Sequence, residues 1–242
     1  MENRPEQLPA NRTDGFRWKQ ADAYLFDIDG TLLNTEDLVH YNALNFAMRD
    51  VYGVDTTIDG IAYHGKTDLG ILRAALHRSG ISGEEFEAKL PQALAYVRQH
   101  VRENASGLVP AVCGAIPEVL HQLRNEGKLI AVASGNLESV GWQKIEAAGL
   151  REFFSFGCFC DENEQRSDIF KAAVRHARQR LGDQASVCFI GDTPEDIRAA
   201  RLAGAQVVAV CTGVYKNEDL AHLNPDACVG SCQELLTRDG LK

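Results

Sequence analysis

Four aspartates are placed where their carboxylates could act together. Asp27 and Asp29 close a short apolar run and stand directly before Gly30. Asp192 closes a second apolar run, and Asp196 follows one helical turn later. Ser134 ends a third apolar run, and Arg166 precedes a segment with helical spacing. A turn at Gly30 would carry Asp29 over the same pocket as Asp27. Two bare carboxylates about 4 Å apart repel by roughly 4 kcal/mol at an effective dielectric near 20. A hard divalent cation removes that cost, and Mg²⁺ with oxygen ligands is the usual choice. Such a cation would also neutralise a phosphoryl group brought beside Asp27.

The elements that must deliver these residues are legible as alternating strands and helices. Apolar runs at 23–28, 129–133, 187–190 and 207–210 have the length of buried strands, and a short strand is expected within 153–158. Helical periodicity covers 35–51, 67–79, 115–125, 137–148, 167–181 and 194–203. A further helix starts at the N-cap Ser82 with Glu85 as its capping-box partner, and runs to about 103 with a break near Pro91. Alternation of this kind predicts an α/β fold: a Rossmann-like parallel sheet covered by helices on both faces. Ligands bind such sheets at the carboxyl ends of the strands, where Asp27, Asp29, Ser134 and Asp192 all fall. The all-helical stretch interrupts the alternation and predicts an inserted helical cap. The expected organisation is a polar N-terminal tail at 1–20, a core at 21–36 and 105–242, and the cap at 37–104.

Asp27-Ile28-Asp29-Gly30-Thr31, Ser134 after its strand, a basic residue before a helix and Gly191-Asp192-Thr193-Pro194-Glu195-Asp196 together resemble the haloacid dehalogenase superfamily. More narrowly, the chain is similar to its phosphoglycolate-phosphatase-like members, from about Ala21 onward. The resemblance implies that Asp27 attacks phosphorus and that Asp29 serves as general acid, then general base. It implies that Ser134, Gly135 and backbone amides near Gly30 hold the phosphoryl oxygens, with Arg166 neutralising their charge. Mg²⁺ would be held by the Asp27 carboxylate, the Asp29 backbone carbonyl and Asp192, with Asp196 helping from behind these ligands or through a water. The third motif of the superfamily more often carries lysine. Here Arg166 is the expected cation and Lys171, further into the same helix, the alternative. The cap loop His64-Gly65-Lys66 would reach over the site, with Lys66 and His64 toward the substrate; the alternative is a solvated loop. Asn34 is expected at a turn or helix start, and His40 as a helix-surface or partly buried side chain.

The expected function is a Mg²⁺-dependent phosphatase acting on a small phosphorylated metabolite through an aspartyl-phosphate. The alternatives are a phosphomutase of the β-phosphoglucomutase type and a catalytically silent binding module. A net charge of −9, from 34 acidic and 25 basic residues, argues against a nucleic-acid partner. No apolar stretch approaches a membrane span and the N-terminus lacks a signal's apolar centre. The seven cysteines are expected as buried free thiols in a reducing cytoplasm, with no zinc spacing among them. A cytoplasmic monomer or homodimer is expected. Trp18 and Trp142 are expected to pack rather than bind.

Overall fold

A computed structural model describes residues 17–161 and 163–237. In chain order the elements are β1 (Ala23–Phe26), β2 (Leu33–Thr35), α1 (Val39–Tyr52), α2 (Asp68–Arg78), α3 (Gly83–Glu103) and β3 (Pro110–Val112). Then come α4 (Ile116–Asn125), β4 (Leu129–Ala133), α5 (Glu138–Ala147), β5 (Gly157–Cys158), α6 (Arg166–Leu181), β6 (Val187–Gly191) and α7 (Pro194–Leu202). The chain closes with β7 (Gln206–Val210), α8 (Asn217–Ala221), β8 (Ala227–Val229) and α9 (Gln233–Thr237).

Among the described residues, the main sheet is six-stranded in the order β5-β4-β1-β6-β7-β8, and every neighbouring pair is parallel. The side-chain period of two divides each strand between two apolar layers. Leu25, Ala131, Phe189 and Val207 share one layer with Ile169 and Phe170 of α6 and Ile197 of α7. Phe26, Val132, Ile190 and Val208 share the other with Val119 and Leu123 of α4 and Leu235 of α9. Phe170 stacks on Phe189 at a centroid distance of 4.0 Å. Burial on both faces is why these strands are continuous apolar runs.

α1, α2 and α3 form the inserted helical unit between β2 and β3. We propose 37–104 as its limits. Its start differs from the expected helix at 35, because Leu33–Thr35 pair antiparallel with Pro110–Val112. Three-residue strands are too short to show alternation, so that pair left no periodic signal. Asn34 accordingly lies in a strand, its Nδ2 donating to the Thr212 carbonyl. Asp37 ties the two ends of the insert together: Oδ1 accepts from Val39 N at 3.0 Å and Oδ2 from Val109 N at 2.9 Å.

α3 runs unbroken through Pro91, whose exposed position leaves the freed carbonyl to solvent. Its N-cap is half the expected box. Ser82 accepts from Glu85 N, but the Glu85 carboxylate binds Lys89 instead. Packing begins before Ala21: Trp18 is fully buried, edge-on to Tyr24, whose hydroxyl donates to the Trp18 carbonyl. The rest of the expected tail, 1–16, lies outside the described residues. All seven cysteines are free thiols, five of them buried. Among the described residues no helix is long and apolar enough to cross a membrane.

Candidate active site

β1 lies between β4 and β6, so the three motif-bearing strands are adjacent and their carboxyl ends share one rim. Asp27 leaves β1 there, Ser134 leaves β4 and Asp192 leaves β6. Gly30 makes the turn after β1 with φ +84°, the left-handed region that glycine enters freely. Its N–H donates to Leu33 O and its carbonyl accepts from Thr212 Oγ1 at 2.6 Å. A Cβ at Gly30 or at Gly213 would collide with the Asp192 carboxylate, so both glycines make room for it.

Asp27, Asp192 and Asp196 each offer a carboxylate oxygen within 4.8 Å of the others, all three buried. Asp192 Oδ1 accepts from Thr31 Oγ1 at 2.9 Å. Burial pushes the Asp192 carboxyl up to about 8, with Asp196 and Asp27 adding to the rise. Burial likewise raises Asp27 to about 6, against the pull of Arg166. Asp27 Oδ1 is buried without a hydrogen-bond partner. An orphaned carboxylate oxygen in an acidic cluster is the donor set a hard cation requires, so the residues present fit a divalent metal.

Asp196 has a different setting from that of Asp27. It is fully buried. Its Oδ2 accepts from Thr193 N at 3.0 Å and Thr193 Oγ1 at 2.7 Å, completing the capping box of α7. Its Oδ1 accepts from Arg166 Nε at 2.8 Å. Arg166 lies in the first turn of α6, not in the loop before it, and is itself buried. Its Nη2 is 2.6 Å from Asp27 Oδ2 and 2.6 Å from Asp196 Oδ1. Lys171 is exposed and pairs with Asp168, away from the cluster.

Asp29 turns away from the three buried acids. Both its oxygens lie 2.8 Å from Lys144 Nζ, and Oδ2 also accepts from Asn136 Nδ2 at 2.8 Å. Burial opposes ionisation there, but the Lys144 ammonium and the Asn136 amide outweigh it and hold Asp29 below the usual carboxylate value. Ser134 is buried, with its Oγ accepting from Asn136 Nδ2 at 3.0 Å. Two N–H groups at the start of α5 are already taken. Leu137 N donates to Asp68 Oδ2 and Glu138 N to Asp161 Oδ2.

Asp68 belongs to the insert, so that bond is part of a clasp across the mouth. Asp68 N donates to Gly135 O at 2.8 Å, Thr67 Oγ1 to Glu164 O, and Arg73 forks onto the Glu164 carboxylate. Gly135 permits this approach, since a Cβ there would stand 2.5 Å from Lys66 O. The clasp roofs a cavity of about 560 Å³ containing Asp27, Asp29, Ser134, Arg166, Lys66 and His64 in its lining. Lys66 and His64 are exposed on that roof, His64 against Tyr63 at 4.4 Å between centroids. His40 lines the same cavity, Nε2 3.2 Å from Asp68 Oδ2.

Lys144, Asn136 and Asp68 carried no expectation from the sequence. The available signal was Lys144 itself: it stands one helical turn from Val140, on the buried face of α5. A lysine there needs a partner.

The haloacid dehalogenase-like hydrolase family model matches residues 24–210, spanning every element from β1 to β7. The chain belongs to the haloacid dehalogenase-like hydrolase family. This hydrolase is similar to a probable phosphatase, IndB, of Dickeya dadantii, at 28% identity over 88% of this chain and 90% of the relative. It is similar to a phosphoglycolate phosphatase of Thiobacillus denitrificans at 27% identity, covering 88% and 92%. Its fold matches the structure of CbbY from Rhodobacter sphaeroides in complex with phosphate, with a TM-score of 0.68 at 21% identity, over 89% and 96% of the two chains.

Proposed function

We propose that this hydrolase is a Mg²⁺-dependent phosphatase that cleaves a small phosphate monoester through an aspartyl-phosphate on Asp27. The observation that carries this reading is the setting of the Asp27 carboxylate. One oxygen is gripped by Arg166 and the other is buried without a partner at the cavity floor, beside Asp192. A carboxylate fixed in this way can lend one oxygen to a cation while the other is aimed at phosphorus.

In this mechanism Asp27 and Asp192 would hold the Mg²⁺, with the Asp29 carbonyl as a further ligand and Asp196 behind them. The cation supplies charge neutralisation for the phosphoryl oxygens. Ser134, Gly135 and the amides near Gly30 would hold those oxygens, and Arg166 would oppose the charge that builds on them. An Asp27 oxygen bonds to phosphorus as the ester oxygen leaves with a proton from Asp29; Lys144 keeps that acid ionised in the resting site, so the proton arrives with the monoester, bound as its monoanion. Water then attacks the aspartyl-phosphate, giving its proton back to Asp29 and releasing phosphate and the Asp27 carboxylate. Lys66 and His64 on the roof would meet the leaving group.

The phosphatase names of the relatives support the reaction class. The test is phosphate release from p-nitrophenyl phosphate with Mg²⁺. Wild-type protein is expected to turn over and Asp27→Asn to lose about 10³-fold or more in kcat. Undiminished activity in Asp27→Asn would overturn the covalent scheme.

A further inference from the structure

Lys144 is an unusual lysine. It is 3% exposed, on a helix that packs against the core, and its ammonium has moved out of water to reach a carboxylate that is half-exposed. Its recorded hydrogen bonds go to both oxygens of Asp29 and to Asn136 Oδ1. Burying an ammonium is costly, and a neutral amide with one half-exposed carboxylate repays little of that. An apolar side chain of similar length would pack there with less penalty. The arrangement therefore makes poor sense as a source of stability.

It makes good sense as a fixture for Asp29. At the end of β1 that carboxyl lines the cavity, and without partners it would rotate about its χ angles. Lys144 and Asn136 remove that freedom with three contacts of 2.8 Å. Asn136 also donates to Ser134 Oγ, so the acid/base carboxyl and the phosphate-binding hydroxyl are tied into one frame. A proton donor must lie within hydrogen-bond reach of the departing oxygen, and small misplacements cost large rate factors.

We propose that Lys144 is a positioning residue, which through Asn136 and directly holds Asp29 against the leaving-group oxygen. The proposal rests on Asp29 being the acid/base of the phosphatase reading. It makes a distinction that a merely structural lysine would not. Departure of p-nitrophenolate needs little protonation, whereas departure of phenolate needs much more. Loss of Lys144 should therefore harm phenyl phosphate far more than p-nitrophenyl phosphate.

The experiment measures kcat and KM for both esters, with Mg²⁺, in wild type, Lys144→Met, Lys144→Gln and Asp29→Asn. Expected is a fall in kcat/KM, which reports departure of the leaving group, of about 10²-fold on phenyl phosphate and under about tenfold on p-nitrophenyl phosphate in both Lys144 variants. Asp29→Asn should show the same asymmetry, more strongly. Equal losses of kcat/KM on the two esters, or no loss, in the Lys144 variants overturn the proposal. So does failure of both variants to fold, which would make Lys144 structural. A wild type inert on both esters, by contrast, sinks the phosphatase reading itself.

Discussion

Arg166 Nη2 lies 2.6 Å from a carboxylate oxygen of Asp27 and 2.6 Å from one of Asp196. One guanidinium thus links the proposed nucleophile at the end of β1 to the first turn of α7. Asp196 is the anchor of that link, because its other oxygen is fixed by Thr193. The planar fork of arginine can serve two carboxylates at once, which the point charge of lysine cannot do with the same geometry.

Asp196→Ala should therefore act at a distance from the chemistry. Arg166 would lose its anchor, and kcat on p-nitrophenyl phosphate should fall by about 10²–10³. The protein should also lose roughly 3–5 kcal/mol in denaturant unfolding, since a buried guanidinium is left with one partner fewer. Arg166→Lys should keep more stability than Arg166→Ala but recover little of the activity.

Asp192 rises to about 8 and Asp27 to about 6, burial being the main cause in both. Both folded values lie above the ordinary carboxylate value, so metal-free folded protein binds more protons than the unfolded chain in that window. Its stability should fall as pH rises from about 4 to about 8. Mg²⁺ binds the deprotonated acids and should offset that loss. The gain in Tm on adding Mg²⁺ should be larger near pH 8 than near pH 6. Equal gains by differential scanning fluorimetry would refute this.

Gly213→Ala places a methyl group against the Asp192 carboxylate. The residue is not in the left-handed region, so backbone strain does not enter. The expected result is a Mg²⁺ affinity about 10–100-fold weaker, together with a loss of about 1–3 kcal/mol in stability from overpacking. Titrating activity with Mg²⁺ checks it.

Gly135→Ala puts a Cβ 2.5 Å from the Lys66 carbonyl. The insert loop must lift, and the bond from Asp68 N to Gly135 O must lengthen. KM for p-nitrophenyl phosphate should rise, and the 60–68 region should become easier to cleave by limited proteolysis.

The central strands were legible because burial on both faces forces an apolar run, and Asp27, Ser134 and Asp192 end those runs at one rim. The parallel order that makes them neighbours follows from strand–helix alternation. What escaped was whatever depended on short or cross-element contacts. β2, β3 and β8 are three-residue strands with no periodicity to read. Two helix-start amides of α5 are claimed by carboxylates distant in sequence, Asp68 and Asp161, a pairing no local pattern announces. Lys144 was hidden by its residue type, since most helix lysines are solvated and only its place beside Val140 set it apart.

Thr35 pairs with Pro110, and Asp37 bridges to Val109 just beyond. The insert thus leaves and re-enters the core at one point, on two antiparallel strands. In topological terms α1–α3 occupy the tip of a β-hairpin. Antiparallel partners need no more than a two-residue turn to join them. The sheet's path from β1 to β4 is therefore already closed without the helices, and the roof can vary in size or shape with no change to the strand order beneath it.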